Sequence, residues 1–295
     1  MDRNVTAQAL HREGEVLLFD CGEGTQRQMM RYGVGFSFRE LFVTHFHSDH
    51  ILGIPGLIRT MGLLDRSEPV TIHGPRGAQR ILGDLLKVGV ERNKFPVEIV
   101  EIQGGDVLTR GEYDLVVFPT DHRAGSIGYA VREHDRLGRF DPDRAKALGI
   151  PEGPLWGRIH RGERIDLPDG RSVEPTELVG AARPGRTVVL TGDTRPCDAV
   201  REVARGADLL VHDATFGDDE RDRARETGHS TAREAARLAR EVGVRQLVLT
   251  HVSARYSRDA PELLAQAREE FTESLVARDG LPVDVPFRDV VVPEL

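Results

Sequence analysis

The chain has 295 residues, 39% hydrophobic and 30% charged, with 31 Gly and 16 Pro; it is long enough to bury a core, and its composition excludes a coiled coil, a collagen-like repeat and a mostly disordered chain. Lys and Arg total 40 against 48 Asp and Glu, a net charge of -8, which argues against sequence-blind coating of DNA, so no DNA partner is expected. No apolar run approaches the roughly 18 residues of a membrane span, the stretch from Met1 to Glu15 lacks the apolar core of a signal peptide, and Cys21 and Cys197 are too few for a disulfide framework, so a cytoplasmic protein is expected.

In chain order, Val5 to Leu10 and Glu15 to Asp20 flank the turn Arg12-Glu13-Gly14 and predict a hairpin. Cys21-Gly22-Glu23-Gly24-Thr25 then turns into a helix over Gln26 to Tyr32. A short buried strand, Leu41 to Thr44, precedes a histidine-rich run and an apolar stretch, Ile51 to Leu64, broken by Gly and Pro. Val70 to His73 reads as a strand, Gly77 to Val88 as a helix, and Val97 to Val131 as strand-rich. From Arg132 to Arg171 the chain is charged and rich in Gly and Pro, and we read it as an insertion projecting from a single domain spanning 1–295. Strands at Thr187 to Thr191, Ala207 to Val211 and Gln246 to Thr250 then alternate with helices at Asp198 to Arg205, Thr231 to Val242 and Glu262 to Arg278. Thr231 with Glu234 predicts a capping box. The pattern predicts an α/β body with helices outside two sheets.

The chemistry concentrates in Thr44-His45-Phe46-His47-Ser48-Asp49-His50. Three imidazoles and a carboxylate directly after a buried strand can be aimed into one cleft, and that donor mixture suits zinc best among divalent metals. Asp121-His122, Gly192-Asp193 and His251 each fall just past another apolar strand, where ligand sites collect in sheet proteins. We assign His45, His47 and His122 to a first metal and Asp49, His50 and His251 to a second. Asp193 bridges, because a carboxylate has two oxygens where a neutral imidazole cannot bridge; one shared position is left for water or hydroxide. Two such ions activate water and neutralise charge on a phosphodiester. His229, in Gly228-His229-Ser230, is the candidate proton donor to the leaving oxygen. Its position ahead of a helix disfavours the charged form, so it needs a carboxylate partner, for which Asp213 is the candidate.

These residues resemble the metallo-β-lactamase superfamily and, more closely, the bacterial ribonuclease Z family of tRNA 3'-end endoribonucleases. The likeness runs over nearly the whole chain: LFDCGEGTQRQM from Leu18, THFHSDHILGIPGL from Thr44, DHR through GY from Asp121, LTGDTRP from Leu190, HDATF from His212, GHST from Gly228 and LTHVSARY from Leu249. It implies a four-layer αββα fold and seven metal ligands at His45, His47, Asp49, His50, His122, Asp193 and His251. It also gives Asp49 the general-base role and His229 a part in protonating the leaving group. The implied substrate is precursor tRNA, cut after the discriminator nucleotide to leave a 3'-hydroxyl on the tRNA and a 5'-phosphate on the trailer. The resemblance further implies a homodimer and makes 132–171, with Gly153-Pro154, an arm that grips tRNA. Two departures stand out. Relatives begin with a strand and a glycine-rich loop ahead of the counterpart of Arg3-Asn4, so the first strand is expected to be missing here. Relatives also carry Glu where this chain has Asp213, which is one methylene shorter and predicts a looser or water-mediated contact with His229.

The alternative is another binuclear hydrolase of the same superfamily acting on small phosphodiesters or thioesters. A charged projection argues against it. Within 132–171 there are nine Lys and Arg against eight Asp and Glu, and Arg158, Arg161 and Arg164 oppose only Glu163 along the sequence. Asp20 is read as orienting a ligand or forming a turn, Cys21 and Cys197 as free thiols, Phe36, Phe38 and Phe42 as core, and His73 and His212 as packed histidines.

Overall fold

Leu17, Leu18 and Phe19 are all buried, as expected of a strand covered on both faces. The computed structural model that places them describes residues 3–89, 92–123, 125–167, 169–256 and 259–288; the start of the chain, at Met1 and Asp2, lies outside that set. Strands β1 (Gln8–Arg12) and β2 (Glu15–Phe19) form the predicted hairpin. Helix α1 (Thr25–Tyr32), β3 (Glu40–Phe42), α2 (Ser48–Ile51), α3 (Ile54–Leu63), β4 (Val70–Gly74), α4 (Ala78–Leu85) and β5 (Val97–Glu101) follow. The five strands make one sheet in sequence order, parallel from β2 to β5. Leu18, Leu41, Val43 and Ile72 on one face pack against Leu57, Ile58, Met61 and Leu82 of α3 and α4.

The second sheet draws on β6 (Val107–Thr109), β7 (Tyr113–Pro119) and β8 (Ile127–Glu133). After an insertion holding α5 (Pro142–Ala147), α6 (Pro154–His160), β9 (Ile165–Asp166) and β10 (Ser172–Val173), the chain returns through β11 (Thr187–Leu190), α7 (Asp198–Val203) and β12 (Leu209–Asp213). It ends with α8 (Arg221–Thr227), α9 (Ala232–Val242), β13 (Leu247–Thr250), α10 (Pro261–Arg268) and β14 (Ser274–Val276). The order in this sheet is β14-β13-β12-β11-β8-β7-β6. Val189, Leu210, Leu247 and Leu249 meet Ala235, Leu238, Ala239 and Val242 of α9 and Leu263 of α10. Between the sheets Phe19 stacks on Phe42 at 5.2 Å, both contact Tyr129, and the Tyr129 hydroxyl donates to the Val43 carbonyl at 2.7 Å. The layers are helix, sheet, sheet, helix.

Two elements differ from the sequence reading. The helix expected over Glu262 to Arg278 stops at Arg268, and its remainder supplies β14. The edge of β13 needs a partner for its backbone groups, and this segment provides it: Leu247 N donates to Glu273 O and Ala277 N to Leu249 O, at 2.9 and 2.8 Å. Helix α8 was not predicted, because in RDRARET only Ala224 is buried and no apolar stripe announces it.

The chain divides into two compact units. One gathers the residues to Arg110 with Asp114–Val131 and Thr187–Asp284; the other gathers Gly111–Tyr113, Arg132–Arg186 and the residues from Val285. The second unit therefore runs past Arg171 to Arg186. It has its own core, in which Ala145, Ile150, Ile159, Ile165, Val173 and Leu178 are buried. Its charges are paired: Arg158 reaches Glu163 at 2.7 Å, and Arg164 lies 3.7 Å from Asp166 and 3.5 Å from Glu174. Arg164 is thus opposed by two carboxylates, Asp166 two residues on and Glu174 brought to it by the fold, where the sequence reading set only Glu163 against the three arginines. No helix among the described residues is long and apolar enough to cross a membrane.

Candidate metal centre

The ends of β3, β7, β11 and β13 deliver the predicted donors to one place. His45, His47, His122 and Asp193 offer ligand atoms all within 4.8 Å of one another, and Asp49, His50 and His251 do the same. Asp193 faces both groups. Its Oδ2 lies 3.6 Å from His45 Nε2, 3.8 Å from His122 Nε2 and 3.4 Å from His251 Nε2, while its Oδ1 lies 3.3 Å from His50 Nε2. Asp49 Oδ2 lies 3.1 Å from His251 Nε2 and 3.6 Å from His50 Nε2. Gly192 sits at φ +62°, and a Cβ there would come within 2.8 Å of Thr44, so a glycine lets Asp193 approach the histidine run.

The outer nitrogens of four imidazoles are each engaged. Asp20 Oδ2 accepts from His50 Nδ1 at 2.8 Å, and the same carboxylate accepts from Thr44 N and Thr44 Oγ1. With its proton given to Asp20, Thr44 Oγ1 accepts from His45 Nδ1 at 3.0 Å. The Gly228 carbonyl accepts from His122 Nδ1 at 2.7 Å. Thr215 Oγ1 donates to Asp213 Oδ1 and accepts from His251 Nδ1, at 2.7 and 2.8 Å. Each bond keeps the proton on Nδ1 and leaves the Nε2 lone pair facing inward, as metal-binding histidines require. Sequence reasoning missed Thr44, Thr215 and the Gly228 carbonyl as holders of the ligands. The signal was a hydroxyl residue inside two of the motifs, next to His45 and two residues beyond Asp213.

Two of the inward atoms are left without partners. His50 Nε2 and Asp193 Oδ1 are buried and make no hydrogen bond. His47 Nδ1 lies 3.0 Å from His45 Nε2 and 3.3 Å from His122 Nε2, a convergence of acceptors that calls for cations among them. The electrostatics divide the cluster. Burial, then repulsion by His50, drives the His45 pKa down to about 2, and burial lowers His47 and His122. Burial works against charging His50 and His251, yet the carboxylates prevail: Asp20 and Asp193 raise His50 well above its usual range, and Asp193 with Asp49 brings His251 to about 9. The His251 hydrogen bond holds Asp49 at about 2, and Asp193 is kept well below the carboxylate range against its own burial by His251 and His50. The donor set therefore fits two divalent ions, with imidazole and carboxylate oxygen as zinc prefers.

His229 lies beside this cluster, its ring 4.9 Å from that of His122 and 5.1 Å from that of His251. Its Nδ1 donates to Asp213 Oδ2 at 2.8 Å. The shorter carboxylate thus reaches His229 directly, where a loose or water-mediated contact was expected. Asp213 makes up the missing methylene by position, since Thr194 N, Thr215 N and Thr215 Oγ1 all donate to it and fix it fully buried. With those bonds made it has no oxygen to spare for a metal, although it stands within ligand distance of Asp193 and His251. Asp121 is turned outward to Arg195 at 2.7 Å. Cys21 is buried, which pushes its thiol up to about 12; Cys197 is partly buried. Phe38 and Phe42 are core and Phe36 packs against it. His73 stacks on Phe42 and bonds Glu40, and His212 bonds the Asp213 carbonyl.

Two sheets between helices, with histidine and carboxylate clusters at the strand ends, define a binuclear hydrolase of the metallo-β-lactamase superfamily. A beta-lactamase superfamily domain matches residues 161–252, and the anti-Pycsar protein Apyc1 family matches 3–135. Ribonuclease Z of Gemmatimonas aurantiaca is 57% identical over 98% of this chain and 93% of its own length; that of Myxococcus xanthus is 53% identical over 98% and 94%. The crystal structure of human tRNase Z, short form, superposes with a TM-score of 0.68 at 26% identity, covering 97% of this chain and 94% of that one. The metallo-beta-lactamase fold protein YhfI from Bacillus subtilis, at 20% identity and a TM-score of 0.65, shares the fold over 94% of this chain and 90% of its own. The chain belongs to the ribonuclease Z family.

Proposed function

We propose that the protein removes the 3' trailer from precursor tRNA, cutting after the discriminator nucleotide to leave a tRNA 3'-hydroxyl and a trailer 5'-phosphate. The observation that carries the reading is the pairing of two donor groups, joined through Asp193, with a separate histidine–carboxylate pair beside them. His45, His47 and His122 would hold one ion and Asp49, His50 and His251 the other, with Asp193 facing both; zinc is the metal proposed. Bound there, the ions supply Lewis acidity towards water and phosphate oxygen. Asp49, a carboxylate whose ionised form is favoured, accepts the proton from water. His229 gives a proton to the departing 3'-oxygen. Asp213 holds the ring through its Nδ1 at 2.8 Å and leaves Nε2 as the atom that gives the proton.

We further read the unit from Arg132 to Arg186 as the tRNA-gripping arm, the setting as cytoplasmic and the assembly as a homodimer. Exposed Met30, Leu52, Leu63 and Leu64 around α1 and α3 support the last point, as apolar side chains in want of cover. The deciding experiment incubates the purified protein with precursor tRNA carrying a 3' trailer, with and without chelator, and sequences both products while metal content is measured. Cleavage at the discriminator that stops in chelator, with close to two ions per chain, is expected. Failure to cut, or cutting that persists in chelator, overturns the reading.

A further inference from the structure

Beside His45 and His47 opens a cleft of about 190 Å³ whose other walls are Phe46, Pro75, Arg76, Arg123 and Gly125. Among the described residues no acidic side chain lines it. Both arginines are exposed. Glu101, the carboxylate at the turn into α4, instead accepts from Gly77 N and Gln79 N at 3.0 and 3.1 Å. Two guanidiniums without a carboxylate partner among the described residues, set next to the proposed scissile position, match the geometry that binds phosphate through charge-assisted hydrogen bonds.

The placement suggests a direction. His229 contacts His122 and His251 and does not line the cleft, which opens on His45 and His47. The leaving 3'-oxygen belongs to the tRNA, so the tRNA body lies on the His229 side. Water attacks opposite that oxygen, and the trailer keeps its P–O5' bond and leaves the phosphorus to one side, where the cleft that His229 does not line is open to it. We propose that this cleft is the trailer subsite, in which Arg76 and Arg123 hold the phosphate that follows the scissile one and so select precursors with more than a single extra nucleotide. The inference rests on the function proposed above.

The test compares wild type with Arg76→Ala, Arg123→Ala and the double variant on precursors bearing a one-nucleotide or a ten-nucleotide trailer. It also measures competition by mature tRNA and by a 5'-phosphorylated RNA trinucleotide, and binding of that trinucleotide by direct titration. Loss of charge-assisted contacts should raise the KM for the long trailer and the Ki of the trinucleotide by roughly tenfold. The salt dependence of binding should fall by about 0.7 per arginine removed. KM for the one-nucleotide trailer and Ki for mature tRNA should stay within about twofold, and Arg→Lys variants should recover part of the affinity. A raised Ki for mature tRNA with the trinucleotide unaffected puts the cleft on the tRNA side and overturns the proposal. So does an equal effect on both trailer lengths, or none on either. If wild type fails to cut precursor at all, the functional reading falls instead, and direct titration of the trinucleotide against the arginine variants still decides whether the cleft holds RNA phosphate.

Discussion

Asp20 controls His50 at a distance of one hydrogen bond. It is fully buried, takes a left-handed backbone conformation at φ +56°, and accepts from His50 Nδ1 and from Thr44 twice. Thr44 in turn holds His45, so one carboxylate orients histidines of both donor groups. Asp20→Ala should therefore weaken metal binding by about 10- to 100-fold, as loss of such supporting bonds does elsewhere. A competitive chelator titration with zinc reads this directly; unchanged affinity at both sites would remove Asp20 from the centre. His229 is a different case, because its Nδ1 is committed to Asp213 and it belongs to neither ligand trio. His229→Ala should keep its metal and lose about 10²- to 10⁴-fold in cleavage rate, the usual worth of a positioned proton donor. A precursor with a sulfur leaving atom at the cut position, which needs no protonation, should recover much of that loss. Equal impairment on the oxygen and sulfur substrates would mean that His229 positions RNA rather than donating a proton.

At the scale of elements, what the sequence reveals depends on whether a segment's structure is decided locally. In the Thr231 helix, Ala235, Leu238, Ala239 and Val242 are all buried and Thr231 with Glu234 forms the reciprocal cap, because cap and stripe are written within a dozen residues. The hairpin at Glu13-Gly14 is legible for the same reason. Ser274–Val276 is not: its strand state is imposed by β13, a partner distant in sequence, and no Gly or Pro marks the end of α10. Helix α8 is legible only from the other side, where Ala224 packs. The donors follow the same division. His45, His47, Asp49 and His50 announce themselves by density, and His122, Asp193 and His251 by standing at strand ends. The atoms that orient them, on Thr44, Thr215 and Gly228, carry no such mark, since a threonine hydroxyl or a peptide carbonyl becomes specific only when the fold aims it.

At the scale of the whole chain, the two units divide the proposed labour, and the insertion can be removed without touching a proposed ligand. Cutting after Arg171 would be a poor choice, because it strips Val173 and Leu178 of their core and parts β10 from β9. A cleaner boundary lies where Arg136 and Arg183 face each other: each backbone N–H donates to the other's carbonyl, at 2.8 and 2.9 Å. Ends paired in this way lie about 5.5 Å apart at Cα, which a two-residue Asn-Gly turn closes as in a β-hairpin. Replacing 137–182 by that turn keeps the Arg186–Glu133 pair at 2.7 Å. It removes Arg158, Arg161 and Arg164, whose exposed ion pairs are weak enough to exchange a carboxylate for a phosphate. The shortened protein should bind precursor tRNA more weakly and with a shallower dependence on salt, yet hydrolyse a small aryl phosphodiester at close to the full-length rate with both ions in place. Unchanged tRNA affinity would remove the arm from substrate binding. Loss of both activities with the metals retained would make the unit a structural support of the catalytic one.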